Sequence, residues 1–306
     1  MRIYNYFLSF LLFCCIICFC GCSIGSFTPS TAKPPEYDFL HVLVPSADGE
    51  KTIGISPIFL DISNTDQGYM IAQSDSFDKK INIQLIGPDN ILYSYFLAPK
   101  ETAVIPFTSG DGSYQLLCYQ QITADQYAAL YSEILDISLE NPFLPFLYPN
   151  QYVNFTEENE TVQLAFSLLP ADTEELETLS AIYNYVTKHI TYDYDKAYTV
   201  ETGYLPDIDE TLKSGTGICF DYAALMTAML RSRGIPCKLQ IGYNSDLKHA
   251  WIDVYIRSQG WINQAISFDG ETWNLMDPTF ESSSQSSKET QNYIGDGSNY
   301  TVQFSR

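Results

Sequence analysis

GTGICFDYAALMTAMLRSRGIP, residues 215 to 236, carries more information than any other stretch of this chain. Two glycines flank Thr216, and from Ile218 to Arg231 there is neither proline nor glycine. Apolar residues lie on every side of that run, which predicts a helix buried in the middle of a domain. Gly234 and Pro236 stop it, with Arg231 and Arg233 in the last turn. Cys219 therefore falls in the first turn, where unpaired N–H groups and the positive end of the helix dipole favour a thiolate. Position alone leaves two readings open, because free cysteine is also among the most buried residue types.

The segments that follow supply partners. CKLQIGY (237 to 243) alternates as a strand, and so does HAWIDVYI (249 to 256). In the latter His249, Trp251, Asp253 and Tyr255 share one face, while Ala250, Ile252, Val254 and Ile256 form an apolar face suited to the core. A further strand, TWNLMDPTF (272 to 280), ends in Asp277-Pro278, and adjacent antiparallel strands would bring Asp277 within reach of His249. These three residue types suit acyl chemistry. The imidazole takes the thiol proton, the carboxylate fixes the ring, and sulfur attacks an acyl carbon. The backbone N–H of Cys219 is a natural oxyanion donor.

On the residues GTGICFDYAALMTAMLRSRGIP, HAWIDVYI with Trp261 after it, and WNLMDPTF, the chain resembles the transglutaminase-like superfamily, across roughly Leu176 to Phe280. The resemblance implies a papain-like domain with a nucleophile helix packed on an antiparallel sheet. It also implies Cys219 as nucleophile, His249 as general base and acid, and Asp277 as orienter. Cys237 stands where the family often has a small residue, so packing is its expected role. The side-chain oxyanion partner has no motif and is left unassigned.

Ahead of this domain the pattern is different. KINIQLI (80 to 86), ILYSYFL (91 to 97), Thr102 to Phe107 and Ser113 to Gln120 read as short strands separated by turn signals. YAALYSEILDISLE could begin as a helix, but Leu135, Ile137 and Leu139 alternate with polar residues and settle it as strand. A β reading to about Leu169 predicts an immunoglobulin-like sandwich with a scaffold or docking role. Near Pro170 the period changes. Asp172 and Glu175 look like a capping box, and Leu176, Leu179, Tyr183, Val186 and Ile190 trace one helical stripe. His189 reads as a helix-terminal side chain, and YDYDKAYTVETGYLPDIDE as a solvated acidic loop without calcium-ligand spacing. YTVQF (300 to 304) is expected to return as a strand. The fold class is α+β. The expected divisions are a lipoprotein signal peptide at 1–21, a Ser/Thr/Pro-rich tether at 22–36, a β-sandwich at 37–168 and a catalytic domain at 169–306.

Five of the eight cysteines lie in the first 22 residues, beside an apolar run from Phe7 to Cys20. That run is short for a membrane span and suits a secretory h-region. Phe19-Cys20-Gly21-Cys22-Ser23 resembles a bacterial lipobox, with Cys22 as the lipidated residue; a plain signal peptide is the other reading. The expected location is the outer face of the bacterial cytoplasmic membrane, with the membrane a partner through the lipid anchor. Cys118, Cys219 and Cys237 remain, an odd number, and two buried thiols are favoured over a Cys118–Cys237 disulfide. A net charge of -21 argues against nucleic acid as a partner. Three histidines without HExxH or paired-Cys spacing give no metal or cofactor motif. Two functions fit: cysteine-dependent acyl transfer or hydrolysis at peptide or glutamine amides of a peptide or protein substrate, or a non-catalytic surface module on the same fold.

Overall fold

The computed structural model describes residues 32–35, 42–124, 126–244, 246–268, 273–275 and 300–306. Cys22, residues 1–21 and Asp277 lie outside the described residues.

The first eight strands are β1 (Thr52–Ile55), β2 (Ile58–Asp61), β3 (Tyr69–Ser74), β4 (Ile81–Ile86), β5 (Leu92–Leu97), β6 (Thr102–Pro106), β7 (Gly112–Thr123) and β8 (Gln126–Ile137). They form two four-stranded sheets, ordered β1-β2-β3-β6 and β5-β4-β7-β8. One apolar cluster draws on both. Ile58, Leu60, Met70 and Ile105 come from the first sheet, and Ile83, Leu85, Tyr95 and Leu116 from the second. The alternation of KINIQLI is realised directly, with Ile81, Ile83 and Leu85 all buried. The Ala-Leu start of the 126–137 segment is strand as well, paired along β7.

The helices are α1 (Glu160–Leu168), α2 (Glu175–His189), α3 (Tyr194–Thr199), α4 (Ile208–Ser214) and α5 (Cys219–Ser232). Helix α1 departs from the expected β reading to Leu169. Its Val162 and Ala165, three apart, are buried in the cluster that surrounds α5. Its start is stabilised from a distant segment, because Asp209 accepts the N–H groups of Glu160 (3.2 Å) and Thr161 (2.9 Å). The Asp172–Glu175 capping box does not form either. Glu174 is the N-cap of α2 without a side-chain cap, and Glu175 instead pairs with Arg257 Nε at 3.1 Å and accepts the Arg257 backbone N–H.

Two two-residue strands, β9 (Thr191–Tyr192) and β10 (Thr216–Gly217), pair in parallel. The last five strands are β11 (Cys237–Asn244), β12 (Leu247–Ile256), β13 (Gly260–Phe268), β14 (Trp273–Leu275) and β15 (Tyr300–Ser305). They make a sheet ordered β14-β13-β12-β11-β15, so residues 300–305 return as a strand against β11. Helix α5 is buried along its length from Asp221 to Ser232. Leu225, Met226 and Met229 share a core with Leu239, Ile252 and Val254 of the sheet. The two arginines that end α5 are buried rather than solvated. Arg231 donates to the carbonyls of Tyr148, Cys237 and Arg306, and Arg233 to those of Leu169 and Pro170. Pairing most of the guanidinium donors with carbonyls is what makes such burial tolerable.

Candidate active site

The start of α5 is built by the turn before it. Gly215 ends α4 at φ +66°, a conformation that side chains with a Cβ rarely adopt. Gly217 is needed for a different reason: a Cβ there would lie 2.8 Å from the Asp221 Cβ. With that space free, Asp221 folds back and accepts the Ile218 N–H at 2.8 Å, closing the first turn. β9 lies alongside, with Asp193 N–H donating to Gly217 O at 2.9 Å, which sets Tyr192 level with Gly217.

Cys219 sits half-buried at the first position of α5. Its thiol accepts from the backbone N–H of Ala250, the residue after His249, and from that of Phe220. The Tyr192 hydroxyl hydrogen-bonds the same sulfur and accepts the backbone N–H of Cys219. The site thus joins α5, β12 and β9. The sequence named residues of the first two, and the resemblance pointed to the turn that holds Tyr192 as part of the approach to the site, without giving Tyr192 a role. The signal available was the Ile190-Thr191-Tyr192-Asp193 turn, but nothing local says which side chain of that turn faces the sulfur.

Burial pushes the Cys219 thiol up, outweighing the three hydrogen bonds that favour its thiolate. Burial also takes His249 down to about 4. The resting pair is therefore a neutral thiol and a neutral imidazole. The hydrogen bonds at the helix start favour the thiolate, as expected there, but desolvation outweighs them. Nε2 of His249 is buried without a hydrogen-bond partner among the described residues, and Trp251 and Tyr300 stand beside the ring at 6.2 Å between centroids. Tyr192 is raised to about 12, by burial first and the neighbouring sulfur second, so its phenol keeps its proton at neutral pH.

The apolar face of β12 is as expected, with Ala250, Ile252, Val254 and Ile256 in the core. β14 pairs with β13, with Leu275 opposite Ile266, so β13 separates it from the His249 strand instead of the direct adjacency expected. His189 is helix-terminal, its Nδ1 donating to Tyr185 O at 2.7 Å. Cys118 and Cys237 are buried free thiols, each raised to about 12 by desolvation. Among the described residues no group of His, Cys, Asp and Glu has the arrangement of a metal site, and no helix is long and apolar enough to cross a membrane. The acidic segment 192–210 is largely exposed, as expected, but it is not all loop. It contains α3 and the start of α4, and Lys196 and Tyr204 reach back to Asp221.

Residues 162–265 match the family model of the core domain of the transglutaminase-like superfamily. This part of the chain is a transglutaminase-like domain. The assignment points to thiol-dependent catalysis at the level of the superfamily. Over 91 residues the chain is 37% identical to the UPF0252 protein MJ1282 of Methanocaldococcus jannaschii, a match that spans 26% of each protein. Among solved structures, a candidate cysteine protease from Cytophaga hutchinsonii is 15% identical with a TM-score of 0.34, covering 69% of this chain and 74% of that one. Red sea bream transglutaminase is 12% identical with a TM-score of 0.28, covering 63% and 47%. Structural likeness at that level carries no argument about activity.

Proposed function

We propose that the protein catalyses acyl transfer or hydrolysis at peptide or glutamine amide bonds through a thioester on Cys219. The observation that supports this best is the Cys219 thiol at a helix start, held by the N–H of Ala250 beside His249. Neutral His249 takes the Sγ proton as sulfur adds to the substrate carbonyl. The Cys219 N–H and the Tyr192 hydroxyl donate to the oxyanion, the substrate oxygen replacing sulfur as acceptor of the phenolic proton and the phenol oxygen as acceptor of the Cys219 N–H. Imidazolium then protonates the leaving amine, and water or a second amine releases the acyl group with His249 again as base. Asp277, in this reading, orients the ring. Incubation with acyl-donor peptides, with and without a primary amine, followed by mass analysis, tests it. The expected products are a cleaved or deamidated peptide, or an amide with the added amine, together with a Cys219-linked intermediate. Neither product nor intermediate from any donor would leave the non-catalytic surface module as the better reading.

We also place the protein on the outer face of the bacterial cytoplasmic membrane through diacylglycerol on Cys22, with the immunoglobulin-like two-sheet layer as a docking or scaffold element. The support is the FCGC sequence and the Ser/Thr/Pro-rich tether. Mass analysis of the mature N-terminus checks it: a first residue other than Cys22 refutes the anchor.

A further inference from the structure

Asp221 is wholly buried two residues after the nucleophile, and a buried carboxylate needs partners for all its lone pairs. One oxygen takes the Ile218 N–H at 2.8 Å and Lys196 Nζ at 2.7 Å. The other takes the Tyr204 hydroxyl. Lys196 belongs to α3, where its own backbone N–H is capped by Asp193, and its ammonium also lies 4.5 Å from the centre of the Tyr204 ring. Tyr204 in turn meets Phe220, the neighbour of Cys219, edge-on at 6.3 Å. Residues 193–204 therefore form a strap tied to the first turn of α5 by β-type pairing, by an ion pair and by ring packing.

We propose that Lys196 is a positioning residue: by clamping Asp221 it fixes the first turn of α5 and balances the carboxylate that, among the described residues, acts on the thiol, so that the strap sets the reactivity of Cys219. The inference rests on the thiol chemistry proposed above and adds a residue that touches neither sulfur nor substrate. Its electrostatic logic is direct. The titratable groups that act on the sulfur are Tyr192 from β9 and Asp221 from α5 itself, with Lys196 and Tyr204 behind Asp221, while His249 precedes Ala250 on β12. Of these Asp221 is the negative one, and it adds to the burial that opposes thiolate formation. Without the ammonium, that carboxylate would act on the thiol uncompensated in a medium of low dielectric.

The experiment is the rate of Cys219 alkylation against pH, with the modified residue mapped by mass spectrometry, for the full chain and its variants. Lys196→Met is expected to displace the profile to higher pH, slowing alkylation about tenfold at a fixed pH below the midpoint, which corresponds to one pH unit. Lys196→Arg restores the charge and should bring the profile back towards the parent. In an Asp221→Asn background Lys196→Met should have little further effect, since there is no carboxylate left to balance. If Lys196→Met melts too low to titrate, Lys196→Gln keeps a donor without the charge and should show the same displacement. A Lys196→Met or Lys196→Gln profile that coincides with the parent overturns the proposal, and so does a displacement of equal size in the Asp221→Asn background. Failure of the underlying function looks different: Cys219 would then be inert in the parent protein, or indifferent to His249→Ala.

Discussion

The two halves of the molecule solve burial in opposite ways. In the two-sheet layer every buried polar residue described is neutral: Ser74, Ser76 and Asn82. In the transglutaminase-like half and its return strand the buried set includes Asp221, Arg231, Arg233, Asp253 and Arg306. The first core is held mainly by apolar area, and it receives a charge from outside: the Arg306 guanidinium lies 4.7 Å from the ring centres of Tyr93 and Tyr95 and donates to the Tyr95 hydroxyl. The second carries charges that are costly to desolvate without partners. Its polar interior is a positional constraint, holding the helix start, the sheet edge and the strap in register around one sulfur.

That contrast can be broken most directly at one thiol from each half. Cys219→Ala is expected to remove turnover, by more than about 10³-fold, with little change in melting temperature. Cys118→Ala, in the two-sheet core, should leave turnover intact; steady-state assays beside thermal melts read both. Next in size is a cavity in the first core. Leu116→Ala should cost about 2–5 kcal/mol in denaturant unfolding, while the pH profile of Cys219 alkylation stays where it was. A profile that moves would mean that the halves are not independent.

Within the second half, Tyr192→Phe removes one oxyanion donor and should lower kcat by about 10²-fold with KM little altered. Equal loss in KM and none in kcat would assign Tyr192 to substrate binding instead. The smallest effect is on stability against pH. His249 is held at about 4 in the folded state against an ordinary value near 6.5. The unfolded chain binds the proton first, so stability falls as pH drops from about 6.5 towards 4, by at most about 1.4 kcal/mol per unit. Denaturant melts across that window check it, with His249→Phe expected to flatten the slope.

Much of this arrangement was legible in the sequence because local pattern and burial agree there. Residues 218–231 are apolar on all sides and form the buried helix α5, and Ala250, Ile252, Val254 and Ile256 alternate into the core. What escaped was fixed by distant partners. Helix α1 is capped by Asp209, which lies almost fifty residues further on, so its own letters read as strand. The acidic segment is tied down by one lysine, Lys196, whose partner is identifiable only once α5 is placed. Tyr192 was hidden among neighbouring tyrosines, because a two-residue parallel pairing leaves almost no periodicity. The thiol's protonation was misjudged for a related reason: a helix position is visible in sequence, while depth is not.

The return strand has a consequence for the order of events on the ribosome. β11 sits between β12 and β15, and the Arg231 guanidinium spans carbonyls of residues 148, 237 and 306. Until residues 300–306 have been made, β11 keeps a bare edge, and one of the carbonyls that Arg231 needs has not yet been synthesised. The two-sheet layer draws all eight of its strands from residues 52–137 and can pair them while the rest is still emerging, with Phe304 and Arg306 packing on its core only afterwards. The reactive half waits longer: its sheet lacks the β11–β15 pairing until residues 300–306 have emerged, so a chain released before them would carry Cys219 without a finished site.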